Sequence, residues 1–449
     1  MVDAFWLIAL GIWVLYLGFA LLNKNGIWGA LCLFAFLSPL IPIQVGGNIS
    51  GEAPFLSIHR VLLSVVFLLW FLQTSLSKDP IRVPYRIAIL ALALLLGLST
   101  LFSLDVGASA KNIVRWLVEL LGLYVLTFNL AQNRVSVVTL LHGMVASGFL
   151  VAVLAVIQAF TGFNPYNLIS ASREGMFSFG AAFRFESLRL ITVSFSNHIQ
   201  LGGYLVLLLP YVVFLIRYTK HQLFLKTGFV FMVFAAILTT SRGAWAGAGV
   251  ALAIVSLKTK EWKWLCLVGL LLLVFLIQPF VAQDIRTQIL ILTSPDLYSP
   301  EVLQRTPGIR VALYQLIILS SLQGSVRQAL FGTGLHTYAN FPITGLLQGK
   351  NYSFSDGATL LKLYREMGIL AFTCLIGLLT AVLVNLWRNT HVDEDQWRRD
   401  LGRAVVASVI GFLVVSLLSM DIISYPVTGE LFWIALGIGT WLSMSAEKQ

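Results

Sequence analysis

The chain has 449 residues, of which 58% are hydrophobic and only 11% charged, with a mean hydropathy of +0.86. A soluble domain carries roughly 25% charged residues, so this composition excludes a water-soluble globular protein and points to a polytopic membrane protein. The formal charge of +10 does not call for nucleic acid as a partner, because the cytoplasmic connections of membrane proteins collect Lys and Arg.

Apolar runs of bilayer-crossing length fall near 4–22, 27–43, 58–75, 86–103, 112–131, 136–160, 200–216, 224–239, 243–257, 262–281, 359–387, 402–420 and 427–445. The first run lacks a basic segment before it and a small-residue cleavage site after it, so it reads as a retained helix. The runs at 27–43, 224–239 and 243–257 are near the lower limit for a crossing. The expected fold is an all-α, polytopic membrane protein with about 12–13 transmembrane helices. A long outward-facing loop carrying short helices is expected within it. Four parts follow: N-terminal helices over 1–160, helices with a first long outward loop over 161–282, a long extracytoplasmic segment over 283–358, and C-terminal helices over 359–449. Cys32, Cys266 and Cys374 all lie in apolar runs and imply packed thiols, with no disulfide framework. No internal repeat of the kind that builds transporters is visible.

The placement of Lys and Arg orients the chain. Lys24, then Lys78, Arg82 and Arg86, then Arg134, then Arg217, Lys220 and Lys226, then Lys258, Lys260 and Lys263, then Arg388, Arg398, Arg399 and Arg403 fall in alternate connections. These read as cytoplasmic. The segments 161–199 and 283–358 then face outward, as does the N-terminus if all thirteen runs cross. The segment DEDQWRRD, over 393–400, reads as a solvated charged connection.

The outward arginines are the informative residues. Arg173, Arg184 and Arg189 lie in the first outward loop, and Arg242 lies in a very short turn within LTTSRGAWAG. A guanidinium held at the membrane boundary needs a partner or a polar cavity; the alternative is snorkelling to headgroup phosphates. Its planar fork suits a ligand phosphate better than the point charge of Lys. In the long segment, Arg286, Arg305, Arg310 and Arg327 accompany an amphipathic stretch, IRVALYQLIILSSLQ, expected to rest on the outer face. GTGLHTY follows over 332–338; its turn is expected to expose backbone N–H groups as a phosphate nest. The candidates for a general base are His336, Asp356 and Glu366. Glu366 beside Arg365 also reads as a buried pair, and His198 is a further outward candidate. His142, mid-span, reads as a polar contact between helices. Arg115 and Glu119 form the clearest intramembrane pair. No acidic cluster with metal-ligand spacing lies outside the membrane, so neither a metal nor another cofactor is expected.

These pieces resemble the O-antigen ligase/polymerase superfamily of bacterial envelope glycan enzymes. The resemblance is carried by RLITVSFSNHIQLGGYLVLLLP (189–210), TTSRGAWAG (239–247), GIRVALYQLIILSSLQGSVRQALFGTGLHTY (308–338) and TLLKLYREMGIL (359–370), and covers roughly 185–385. It implies a multi-pass protein of the bacterial inner membrane with its active site on the extracytoplasmic side. Arg189, Arg242 and Arg310 would bind the diphosphate of a polyprenyl-linked oligosaccharide, with Arg184 and Arg327 as neighbouring candidates. Where the family often has a His-Asn pair before the helix after the long loop, this chain reads SDGAT, with Asp356 as the nearest polar residue. The implied activity is glycosyl transfer from that donor to the hydroxyl of an acceptor glycan or lipid, with polymerisation first and ligation or protein O-oligosaccharyl transfer as alternatives. A transporter or flippase of lipid-linked glycan, using the arginines only to bind, is the alternative of another class.

Overall fold

The structure is a computed structural model and describes residues 26–42, 46–47, 56–77, 80–166, 183–185, 188–189, 191–259, 325–337, 359–419 and 422–446, with 11, 14 and 18. It is almost wholly helical. In chain order the helices are α1 (Gly26–Leu37), α2 (Ile58–Ser77), α3 (Arg86–Leu101), α4 (Val106–Val114), α5 (Leu123–Leu130), α6 (Arg134–Thr161), α7 (His198–Tyr218), α8 (Gln222–Leu238), α9 (Arg242–Thr259), α10 (Val326–Phe331), α11 (Thr359–Val392), α12 (Gln396–Leu418) and α13 (Thr428–Ala446). A π-helical segment, Arg115–Gly122, joins α4 to α5 and makes them one span. Two short antiparallel ladders complete the described residues: β1 (Gly46–Gly47) with β2 (Leu56–Ser57), and β3 (Phe183–Phe185) with β4 (Leu188–Arg189). Among the described residues, six helices are long and apolar enough to cross a bilayer, and four shorter apolar ones accompany them. The apolar run at 262–281 lies outside the described residues, as does most of the run at 4–22.

Helix α7 is the centre of the bundle, with every residue from Gln200 to Ile216 buried. It packs against α6, α8, α9 and α12. Close approach to α7 is made through small residues: a Cβ on Gly202 would lie 2.6 Å from that of Ala244, and one on Gly203 would lie 2.5 Å from Ile422 Cδ1. The α9–α12 contact is closer still. Gly243, Gly247 and Ala251 stand one turn apart on α9, and a Cβ on Gly247 would come within 2.5 Å of the Gly411 carbonyl on α12. This is the small-residue packing expected where lipid gives no hydrophobic drive between helices and van der Waals contact has to hold them. The outer helices show the converse pattern. On α3, Ile87, Leu90, Leu94 and Leu101 form an exposed stripe at helical spacing, an apolar face of the kind lipid covers.

The bundle has two chemically distinct ends. At one, Arg134 pairs with Asp395, Arg217 Nη1 meets Asp400 Oδ2 at 3.1 Å, and Asn385 Nδ2 donates to the Tyr85 hydroxyl at 2.7 Å. The basic connections singled out in the sequence, where described, gather at this end. The DEDQWRRD segment is more than a solvated link there. Asp400 is buried and accepts from Arg217, Arg403 and Tyr218, and Arg398 pairs with Asp393 at 2.7 Å. At the opposite end, Leu104 N donates to Thr333 O at 2.9 Å, and Ser194 Oγ donates to Pro39 O. Also there, the Tyr166 hydroxyl donates to Leu40 O at 2.6 Å, and burial pushes that phenol's pKa up, so it remains a neutral donor.

Candidate functional site

The turns of the opposite end form the candidate site. Helix α9 starts there abruptly after α8, through Thr240, which has φ 53°. Ser241 then caps the new helix, its Oγ accepting from Ala244 N at 3.3 Å. Arg242 is thereby the first residue of α9 and is exposed. Gly243 makes room for the end of α12, since a Cβ on it would sit 1.9 Å from Ser419 Oγ. The glycines of the TSRGAWAG stretch thus serve packing, while the arginine is left at the surface.

The segment before α7 is pinned just as tightly. Gln158 Oε1, near the end of α6, accepts from Thr192 N at 3.1 Å and Val193 N at 2.9 Å, and Asn164 Nδ2 donates to Val193 O at 3.0 Å. Asn197 caps α7 by accepting from Ile199 N and Gln200 N, which leaves His198 half-buried in the first turn. Arg189 lies in β4 opposite Phe183, and Arg184 lies in β3. Both arginines belong to the same end as Arg242, on a hairpin of backbone whose side chains lie outside the description.

Helix α11 is broken. Gly368 has φ 76° and ψ 168°, and the gap is filled by α10 and the GTG turn. Ser325 and Gln328 close α10 with a reciprocal capping box. Thr333 N then donates to Arg365 O at 2.9 Å, Gly334 N to Glu366 O at 3.1 Å, and Leu335 N to Ser109 Oγ at 2.9 Å. Ser99 Oγ donates to the Glu366 carbonyl as well, at 2.8 Å. The expected phosphate nest is therefore overturned, because the N–H groups from Gly332 to Leu335 are already bonded: Thr333 and Gly334 to carbonyls beside the break in α11, Gly332 to Gln328 O and Leu335 to the Ser109 hydroxyl. Only glycine permits the approach: a Cβ on Gly332 would lie 2.3 Å from Glu366 O.

This docking holds three ionisable residues in the first turns of α11. Lys362, Arg365 and Glu366 are all buried, and Lys362 Nζ lies 5.9 Å from the centre of the Tyr425 ring in the turn before α13. His336 follows the GTG turn, exposed and with φ 62°. Arg327 stands on α10 with its guanidinium 5.3 Å from the Phe102 ring. Asp356 and Arg310 lie outside the described residues.

Left-handed backbone at residues with a side chain is costly, above all at β-branched ones, and it concentrates at functional sites. Among the described residues, Val193, Thr240, His336 and Val427 adopt it at this end, and Tyr85 at the basic end. The first four belong to the turns just described and to the turn before α13.

A second polar cluster lies close by and escaped the sequence reading. His59 Nε2 meets Glu430 Oε2 at 2.7 Å and Ser38 Oγ at 2.6 Å, with the histidine and glutamate 1% and 0% exposed. Arg60 Nε meets Glu119 Oε1 at 2.7 Å, joining the expected Arg115–Glu119 pair, which is 3.6 Å apart. His142 differs from its expected role between helices, since Nδ1 bonds Val138 O one turn back in the same helix at 2.8 Å. The signal for His59 and Glu430 was available: both are ionisable residues inside runs read as spans.

No family model and no curated protein matches the chain. Function is therefore argued from these residues and their surroundings.

Proposed function

We propose that the protein transfers a glycan from a polyprenyl-diphosphate donor to an acceptor hydroxyl at the outer face of a bacterial inner membrane, with a second lipid-linked glycan as acceptor, and hence acts as a polymerase. In this reading the chain crosses the membrane about 12–13 times, the basic end is cytoplasmic, and the segment 283–358 lies outside. The donor diphosphate sits against Arg242, with Arg189 and Arg310 completing its charge compensation. A base, His336 or Asp356 first and Glu366 next, takes the proton of the acceptor hydroxyl. The oxygen attacks the anomeric carbon, the bond from that carbon to the diphosphate breaks, and polyprenyl diphosphate leaves with the electron pair.

The observation that carries this reading is the pairing of an exposed arginine at a tight turn with the strained backbone around it. Arg242, the break in α11 and the four left-handed residues with side chains all belong to one end of the bundle. That end is the one remote from the basic connections. Such an arrangement suits a rigid site for an anionic headgroup entering from the bilayer.

Transport is the second reading, favoured by the buried pair His59–Glu430 and the partly buried pair Arg60–Glu119. His59 and Glu430 lie in the first turns of α2 and α13, at the same end as the arginine rather than along a path through the bundle. A transporter needs polar sites reachable from both sides, so we retain the enzyme reading. The test is incubation of the purified protein with a polyprenyl-diphosphate oligosaccharide, followed by product length on a gel. A ladder is expected. A single transfer onto a lipid or protein acceptor instead identifies a ligase or oligosaccharyltransferase, and absence of any product with every acceptor contradicts glycosyl transfer.

A further inference from the structure

At the basic end, a cavity of about 410 Å³ opens between the end of α2, the linker into α3, the end of α5 and α13. Its volume is within the range of small-molecule sites. Its described lining carries one formal charge, the cation Arg82, together with Gln73, Gln132, Thr74, Asn129, Trp70 and Trp441, whose side chains all bear donors, and Phe128 as an apolar wall; no Asp or Glu stands among the described lining residues. Arg82 is held in place through its backbone: its N–H donates to Asn129 Oδ1 at 3.0 Å and its carbonyl accepts from Asn129 Nδ2 at 2.8 Å. Its guanidinium makes no hydrogen bond or ion pair among the described residues.

A pocket whose described lining holds a cation, several donors and no acid favours a negatively charged ligand rich in acceptors. A phosphate group meets that description, and a guanidinium can bind it through two parallel bonds. Two indole N–H groups set beside apolar walls add the amphipathic lining found where protein meets the headgroup region of a bilayer. We infer that this cavity, on the side remote from the proposed transfer site, binds a phosphate-bearing ligand through Arg82, with Gln73 and the indoles of Trp70 and Trp441 as further donors. The group has two possible sources, the headgroup of an anionic phospholipid or free phosphate, and the lining chemistry is common to both.

The test is thermal unfolding of the delipidated protein in detergent, titrated with short-chain phosphatidylglycerol, with inorganic phosphate, and with sodium chloride of equal ionic strength. The expected result is a saturable rise in Tm with phosphatidylglycerol and none with chloride, and an apparent affinity at least about tenfold weaker in Arg82→Gln. Because this guanidinium has no partner to lose among the described residues, Arg82→Gln should fold normally, and Gln73→Leu provides an independent second variant. Stabilisation by inorganic phosphate as strong as that by the lipid assigns the pocket to free phosphate; stabilisation by the lipid alone assigns it to the headgroup. If neither stabilises the protein beyond chloride, or if both variants respond like wild type, the assignment is overturned.

Discussion

Arg242 is the residue on which the proposed chemistry turns. As the first residue of α9 it stands at the positive end of a helix dipole, a poor place for a cation unless an anion comes to it. Charge-assisted hydrogen bonds contribute roughly 1.5–3 kcal/mol each. Arg242→Ala should therefore lower the transfer rate on the order of ten- to a hundred-fold, and Arg242→Lys should recover only part of it, because a point charge lacks the guanidinium fork. Unchanged turnover in both variants would reduce Arg242 to a headgroup anchor. For the base, Ala at His336 or Asp356 should cost about 10²–10⁴-fold in turnover at neutral pH. If the two single variants and the double variant all turn over at the wild-type rate, Glu366 is the next candidate. Candidate residue types were legible in the sequence because a cation or acid beside an apolar run is conspicuous. Their surroundings were not: nothing in REMGIL announces that the Glu366 carbonyl is taken by Gly334 and Ser99.

At the scale of elements, each apolar run that falls in the described residues coincides with a helix. The bounds are close at some ends and about a turn or more off at others, as where α12 starts at Gln396 before the run at 402–420. Two departures from regular helix were invisible because tertiary contacts make them. The stretch TLLKLYREMGIL reads as continuous helix, and it breaks at Gly368 only because α10 and the GTG turn bond the carbonyls that the break frees. The π segment likewise reads as ordinary apolar sequence and carries Glu119 into contact with Arg60 from another helix. The glycine-rich turn was misread for a related reason: sequence shows that a turn is permitted but not which acceptors its N–H groups find. Gly368→Ala should destabilise the protein by at least about 1–2 kcal/mol from the left-handed conformation alone, and by more because its Cβ would lie 2.3 Å from Leu330 O. Gly247→Leu should separate α9 from α12. A fall in the Tm of the detergent-purified protein checks each, and a Tm equal to wild type would show that the backbones do not approach as described.

For the whole molecule, the two ends divide the work. The basic end is stitched by ion pairs, with Asp400 accepting from Arg217, Arg403 and Tyr218 at 3.1, 3.1 and 2.9 Å. Removing the carboxylate by Asp400→Ala leaves partly buried cations uncompensated and should cost on the order of 3–5 kcal/mol, read as a lower Tm with the transfer chemistry intact in the folded fraction. Cysteine labelling with an impermeant reagent tests the sidedness. Positions 296 and 350 should label in intact cells, and positions 134, 220, 260 and 399 only after lysis; labelling at 350 only after lysis would reverse the topology. Glycosyl transfer itself is tested most directly by the bond it breaks. With a donor labelled in its lipid, the purified wild-type protein should release free polyprenyl diphosphate in proportion to the glycan transferred, and Arg242→Ala should release it at least about tenfold more slowly. A donor that binds and stays whole, at equal rates in wild type and variant, would contradict catalysis and leave binding or transport as the function of this site.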